Sequence, residues 1–264
     1  MRVNQIMSSP AVALDKDRPV TEALEVMKRN EISRLVVLQD DRIAGVVTEK
    51  DIARELGSPH AYRLPTGRMH LANVMIADPL TVAPDVTVKR AAELMLGRNI
   101  SGLPVVEVSN LVGIITKLDF AKVCVNYDDV YVGQVMQAMP ATISPAERVV
   151  HARKLLLEGD LLALPVMENK ELVGIVTIRD VAMKLAAFQE TVPSRYKSER
   201  IRNFLVGDIM IQPPTTVCTD ARLSSAAKLM FEKRFSSLPV VNLEKELVGL
   251  LTKTELAETA RERL

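Results

Sequence analysis

Ile100-Ser101-Gly102-Leu103-Pro104-Val105-Val106-Glu107-Val108-Ser109-Asn110-Leu111-Val112-Gly113-Ile114-Ile115-Thr116-Lys117-Leu118-Asp119 is the stretch whose reading decides the fold. Residues 103–106 and 111–115 are dense in β-branched and aliphatic side chains, which predicts two short buried strands, and Ser109-Asn110 supply turn chemistry between them. Thr116 stands where a helix N-cap belongs, with an acid three residues on. The chain contains this stretch four times, at 34–51, 102–119, 163–180 and 237–255.

Each copy follows a methionine at a fixed distance. Met7 to Val36, Met75 to Pro104, Met136 to Pro165 and Met210 to Pro239 are all 29 residues. A glycine follows at 38 in three copies (Gly45, Gly113, Gly174) and at 39 in the fourth (Gly249), so one residue is inserted in the 242–247 turn. Four copies in one register make a repeat protein. Within repeat two, apolar residues at Val88, Ala91, Ala92, Leu94 and Met95 predict a helix, and Asp85 precedes it as a cap, matched by Asp17 and Asp220. Each repeat therefore reads β-α-β-β-α over about 55 residues, below the size at which a core usually stands alone.

The expected domains are 1–57, 71–125, 132–187 and 206–264, with 1–125 and 132–264 as tandem pairs. The linkers carry that grouping. Residues 58–70, with Pro59, Pro65 and Gly67, and residues 188–205 are long, whereas 126–131 is short and acidic. The basic Arg195, Lys197, Arg200 and Arg202 of the last linker read as a solvated connector helix.

Composition excludes several classes. A net charge of +1 over 264 residues leaves no electrostatic footprint for nucleic acid or an anionic membrane. No apolar run is long enough to span a bilayer, and residues 3–7 already open the first repeat, so no signal peptide is expected. Cys124 and Cys218 lack metal-ligand spacing and read as buried thiols in a reducing, cytoplasmic compartment. His60, His70 and His151 have no ligand partners at suitable spacing, Met27, Met95 and Met230 read as core fillers, and no nucleophile–base pair or phosphate-cradling glycine loop appears. No catalysis is expected. The strand glycines mark close backbone approach, to a ligand or to packing.

The opening Val-x-x-Ile-Met, the Leu-Pro-Val-Val, the Val-Gly-Ile-Ile-Thr and the Thr-x-x-Asp together resemble the cystathionine-β-synthase (CBS) domain over essentially the whole chain. The resemblance implies an α+β fold of four repeats in two tandem pairs forming a disc, similar to the nucleotide-sensing gamma subunit of AMP-activated protein kinase. It also implies clefts for adenosine ligands, and a homodimer or a protein partner that reads occupancy.

Two readings compete for Thr48/Asp51, Thr116/Asp119, Thr177/Asp180 and Thr252/Glu255. One is a capping box, whose cap contributes about 1 kcal/mol. The other, which the resemblance implies, is a carboxylate that accepts ribose hydroxyls beside a phosphate-attracting helix start. A capping box prefers Glu or Gln, so ribose binding is expected for the three Asp and capping for Glu255.

By family geometry Asp119 would face Ser33, Arg34 and Lys50, and Asp51 would face Lys117 with Ser101 and Gly102. Asp180 would face Lys253 with Ser236 and Ser237, and Glu255 would face Arg179 beside Leu162 and Ala163. Adenine would lie near Ser9-Pro10, Asp78-Pro79, Met139-Pro140 or Pro213-Pro214. The expectation is a non-catalytic sensor of AMP, ADP or ATP, strongest at Asp119 and weakest at Glu255. S-adenosylmethionine or methylthioadenosine is the alternative ligand, and a scaffold with vestigial clefts the alternative function.

Overall fold

A computed structural model describes residues 1–58, 61 and 69–264, without the side chains of Ser194, Arg195, Ser198 and Arg202. Pro59, His60, Pro65 and Gly67, and the side chains of Arg195 and Arg202, therefore lie outside the described residues.

Every repeat is built on one antiparallel hairpin: Arg34–Gln39 with Arg42–Thr48, Gly102–Glu107 with Asn110–Thr116, Ala163–Glu168 with Glu171–Thr177, and Ser237–Val241 with Leu247–Thr252. The first strands show no in–out alternation, because Leu35, Val36 and Val37 are all buried, as suits strands covered on both faces. The second hairpin turns one residue earlier than expected. Val108 and Ser109, at φ 47° and 71°, form the turn, and Asn110 already pairs with Glu107. Asp40-Asp41 and Asn169-Lys170 adopt the same two left-handed residues, whose twist matches that of the flanking strands.

The ten-residue helices Val20–Arg29, Val88–Gly97, Val149–Glu158 and Leu223–Glu232 bury one stripe each. In the first it is Val20, Ala23, Leu24 and Met27; in the second, Val88, Ala91, Ala92 and Met95. Met27, Met95 and Met230 are wholly inside, as core fillers should be. Asp17, Asp85 and Asp220 are not the caps. The N-caps are Pro19, Thr87 and Arg222, and only Thr87 uses its side chain, accepting from the Arg90 amide at 3.2 Å. An acid two residues further upstream cannot bring its oxygen to the first free amides.

The chain forms two compact units: residues 1–12, 79–140 and 215–264, and residues 13–78 and 141–214. The first holds the bodies of repeats two and four, and the second those of repeats one and three. In each unit the sheets are completed by openings exchanged from neighbouring repeats. Ser8 and Ile114 exchange backbone hydrogen bonds at 2.9 Å, and Ile76–Ala77 pairs with Gly45 and Val46. Gln137–Ala138 pairs with Gly249 and Leu250, and Ile211 with Ile175.

This exchange accounts for the glycines. A Cβ on Gly113 would lie 2.8 Å from both Met7 Sδ and the Ser8 carbonyl, and one on Gly45 would lie 2.8 Å from Met75 Sδ and the Ile76 carbonyl. Gly174 meets Met210 and Gly249 meets Met136 in the same way. The conserved spacing of methionine and glycine is thus two halves of one contact, traded between repeats one and two and between three and four.

In the first unit, Phe120, Leu103, Leu238 and Leu256 share one core with the helix stripes of repeats two and four, each such side chain contributing roughly 1.5–3 kcal/mol. In the second, helix Glu49–Leu56 packs along Ile178–Thr191. Cys124 is buried, donates to the Leu256 carbonyl at 3.3 Å, and has its thiol pKa pushed up to about 12 by burial. Cys218, expected inside, is exposed: on the short strand Val217–Cys218 the inward position belongs to Val217. The connector helix Ser194–Arg200 is not solvated throughout either. Lys197 is fully buried and donates to Gln189 Oε1 at 2.5 Å, with its pKa lowered by that burial.

Candidate functional site

All four acids make the same cap, and each makes it with one oxygen. Asp119 Oδ2 accepts from the Thr116 amide and hydroxyl, both at 2.8 Å. Asp51 Oδ2 accepts from Thr48 at 3.0 and 2.6 Å, and Asp180 Oδ2 from Thr177 at 2.8 and 2.6 Å. Glu255 Oε2 does the same with Thr252, at 2.7 and 2.5 Å. Aspartate caps as well as glutamate here, so capping does not separate Glu255 from the others. Capping does not by itself exclude ligand binding, because each cap uses only one of the two carboxylate oxygens.

The cap places these acids at the start of Glu49–Leu56, Ile178–Thr191 and Lys253–Arg263, and of the 3-10 turn Lys117–Phe120, whose chain continues as Ala121–Cys124. Asp51 and Asp119 are buried. Burial raises the carboxyl pKa of Asp180 above the ordinary range, partly offset by its Thr177 bonds and by Arg179. Burial also raises that of Glu255, and the nearby Glu258 adds to the rise.

Several of the expected basic residues are occupied within their own unit. Lys50 forms an ion pair with Asp160. Arg179, expected across from Glu255, is held instead by Glu49 at 2.5 Å and donates to the Ile32 carbonyl at 2.8 Å. Lys117 is buried and donates to Thr254 Oγ1 at 3.3 Å, and Lys253 is buried at the first turn of its helix. These contacts join repeat one to repeat three and repeat two to repeat four through the two residues that follow each threonine.

Arg34 is buried at the start of its strand, with Nη2 3.4 Å from Ser33 Oγ. Ser101 and Gly102 hold the same place in repeat two, half-buried, and Ser101 accepts the Lys117 amide at 3.1 Å through its carbonyl. In repeat four the Ser236 carbonyl accepts the Lys253 amide at 3.1 Å. Ser237, 7% exposed, keeps its hydroxyl buried without a hydrogen-bond partner among the described residues. Asp119, Thr116, Lys117, Ser101, Gly102, Lys253, Ser236 and Ser237 belong to the first unit, and Asp51, Thr48, Asp180, Thr177, Ser33, Arg34 and Lys50 to the second.

Sequence reasoning passed over the residue three places after each acid. Arg54 reaches Asp51 Oδ1 at 3.2 Å, and Lys122 reaches Asp119 Oδ1 at 3.3 Å. Met183 and Glu258 stand at that position in repeats three and four. The signal was present as an acid–base pair at helical i,i+3 spacing.

The profile of the CBS domain matches residues 3–58, 71–126, 132–187 and 206–262. Protein MJ1225 of Methanocaldococcus jannaschii is 25% identical over 260 residues, covering 90% of each chain. Its crystal structure, described as a proposed archaeal homolog of g-AMPK, superposes with a TM-score of 0.86 at 21% identity, over 98% of this chain and 99% of that one. CBSX2 of Arabidopsis thaliana, solved in complex with AMP, matches 50% of this chain and 97% of its own at 30% identity and a TM-score of 0.42. The CBS pair of protein MJ0100, solved with 5′-methylthioadenosine and S-adenosyl-L-methionine, matches 47% of this chain and 94% of its own at 26% identity and the same TM-score.

Proposed function

Because the chain belongs to the CBS domain family, we propose that it is a non-catalytic sensor of adenine nucleotides whose occupancy is read by a protein partner. The observation that carries this reading is the one-sided cap. Asp51, Asp119 and Asp180 each commit one oxygen to their own threonine, so the other oxygen, which Arg54 touches in Asp51 and Lys122 in Asp119, retains lone pairs for an incoming donor. A ribose diol supplies such donors, and a bond to an ionised acceptor contributes roughly 1.5–3 kcal/mol. The buried hydroxyl of Ser237 lends support, since an unmet polar group costs free energy that a ligand can recover. Arg34 would take the phosphate, with a planar fork suited to it.

A second reading, S-adenosylmethionine or methylthioadenosine, draws on a specific observation. Lys50, Lys117 and Arg179 already serve contacts inside their units, which leaves fewer cations for a phosphate.

Isothermal titration of the full chain with AMP, ATP and S-adenosylmethionine tests both readings, with native mass spectrometry for a co-purified ligand. Binding of AMP or ATP that weakens at least about tenfold in Arg34→Ala supports the nucleotide reading, a factor of ten being about 1.4 kcal/mol. Tighter binding of the sulfonium compound, insensitive to Arg34→Ala, establishes the second. No heat from any of the three at millimolar levels would leave an interaction scaffold.

A further inference from the structure

Lys122 stands where three elements of the first unit meet. Its Nζ lies 3.3 Å from Asp119 Oδ1, donates to the Ile6 carbonyl at 2.5 Å, and sits 5.0 Å from the centre of the Phe231 ring. Ile6 adjoins Met7, whose sulfur fills the space left by Gly113. Phe231 lies on helix Leu223–Glu232 of repeat four. One ammonium therefore touches the capped acid of repeat two, the opening of repeat one and a helix of repeat four.

Counting acceptors gives this contact a consequence. A carboxylate offers about four lone-pair positions. Thr116 takes two of them on Asp119 Oδ2, and Lys122 takes one on Oδ1. A single hydroxyl can then bind beside Lys122, but a diol that donates twice needs both positions on Oδ1. We infer that Lys122 is a positioning residue for Asp119, displaced from that carboxylate when a diol binds, and that its displacement carries occupancy to helix Leu223–Glu232. Displaced, the ammonium keeps the Ile6 carbonyl, so its charge is not stranded, while its position over the Phe231 ring changes. Arg54 on Asp51 is the looser counterpart, 57% exposed against 28% for Lys122. With Met183 and Glu258 at the corresponding position, repeats three and four have no such cation to displace.

The identity of the diol rests on the proposed function, but the Lys122 link does not, so the two are tested apart. Hydrogen exchange of the full chain, followed over residues 223–232, is measured first without ligand. Asp119→Asn keeps the cap and frees Lys122; it should speed exchange there by about threefold or more, and Lys122→Met should do the same. Lys122→Arg should restore the wild-type rate. The Asp119→Asn, Lys122→Met double variant should add nothing to either single change, because the two act through one contact. Exchange in ligand-free Asp119→Asn equal to wild type, or fully additive effects in the double variant, would overturn the inference. AMP is then added. In wild type it should shift exchange over 223–232 in the direction of Asp119→Asn, and in Lys122→Met it should leave that segment unchanged. Heat of AMP binding with no change in wild-type exchange also overturns the inference. No heat from AMP sinks the nucleotide reading alone, while the ligand-free arm still decides the role of Lys122.

Discussion

Asp119→Asn separates the observed cap of the motif acid from its proposed contact with a ligand. The amide oxygen of Asn can accept both Thr116 bonds that Oδ2 now accepts at 2.8 Å, so the start of the Lys117–Phe120 turn stays capped. The Lys122 ion pair is lost, but at 3.3 Å with the lysine partly exposed it contributes at most about 1 kcal/mol. Stability should therefore fall by no more than about 1 kcal/mol in urea titration. The outer group, however, becomes an NH2 donor where a hydroxyl donor should arrive. Losing one charge-assisted bond of roughly 1.5–3 kcal/mol should weaken AMP binding by at least about tenfold. Asp119→Ala should lose affinity to the same extent and a further 1–2 kcal/mol or so of stability, since it also strips the cap. Paired urea and calorimetric titrations of the two variants read both quantities. If Asp119→Asn binds AMP as wild type does while Asp119→Ala merely unfolds more easily, the acid is a cap and nothing more.

Gly113→Ala should destabilise by about 1–3 kcal/mol in urea titration, because its Cβ meets Met7 Sδ and the Ser8 carbonyl at 2.8 Å. Adding Met7→Ala should recover only part of that loss, since the backbone carbonyl cannot withdraw. Val108→Asn should raise stability by up to about 1 kcal/mol, because a β-branched residue at φ 47° is strained where asparagine is tolerated; an unchanged or lower melting temperature contradicts this. Glu255→Gln should flatten the pH dependence of unfolding. The folded pKa of Glu255 is raised, so the folded state binds its proton more readily, and stability falls as pH rises from the ordinary carboxylate value through the raised one. Glutamine keeps an acceptor for Thr252 and removes the titration, so a profile as steep as wild type would show that other groups set the slope.

The hairpins, the helix stripes and the repeat register were legible because each is a local pattern. Aliphatic runs mark the strands, i, i+3, i+4 spacing marks the helices, and Met-to-Gly spacing counts the copies. The turn at Val108-Ser109 was misplaced because a valine in the left-handed region violates the propensity that a sequence reading must use. Asp17, Asp85 and Asp220 misled for the opposite reason: they are good capping residues two positions too early. Cys218 was assigned by its apolar neighbours, whereas its exposure depends on the parity of a two-residue strand.

The fate of the motif's charged residues lay beyond any local pattern. Read alone, Lys50, Lys117 and Arg179 sit beside a capping acid at a helix start, and phosphate is the expected partner. Their actual partners are Asp160, Thr254 and Glu49, each more than a hundred residues away in the sequence and each on the other repeat of the same unit. Complementarity of Glu49 with Arg179 becomes visible only once repeat one is known to lie with repeat three. Every repeat carries a capped acid at the same place, whereas the one or two positions after the threonine, and the position three after the acid, differ from copy to copy. The shared cap gives all four motifs the same local structural role. The divergent neighbours are where differences in ligand and in communication between copies should be sought, and Lys122, reaching from Asp119 to Phe231, is the clearest of them.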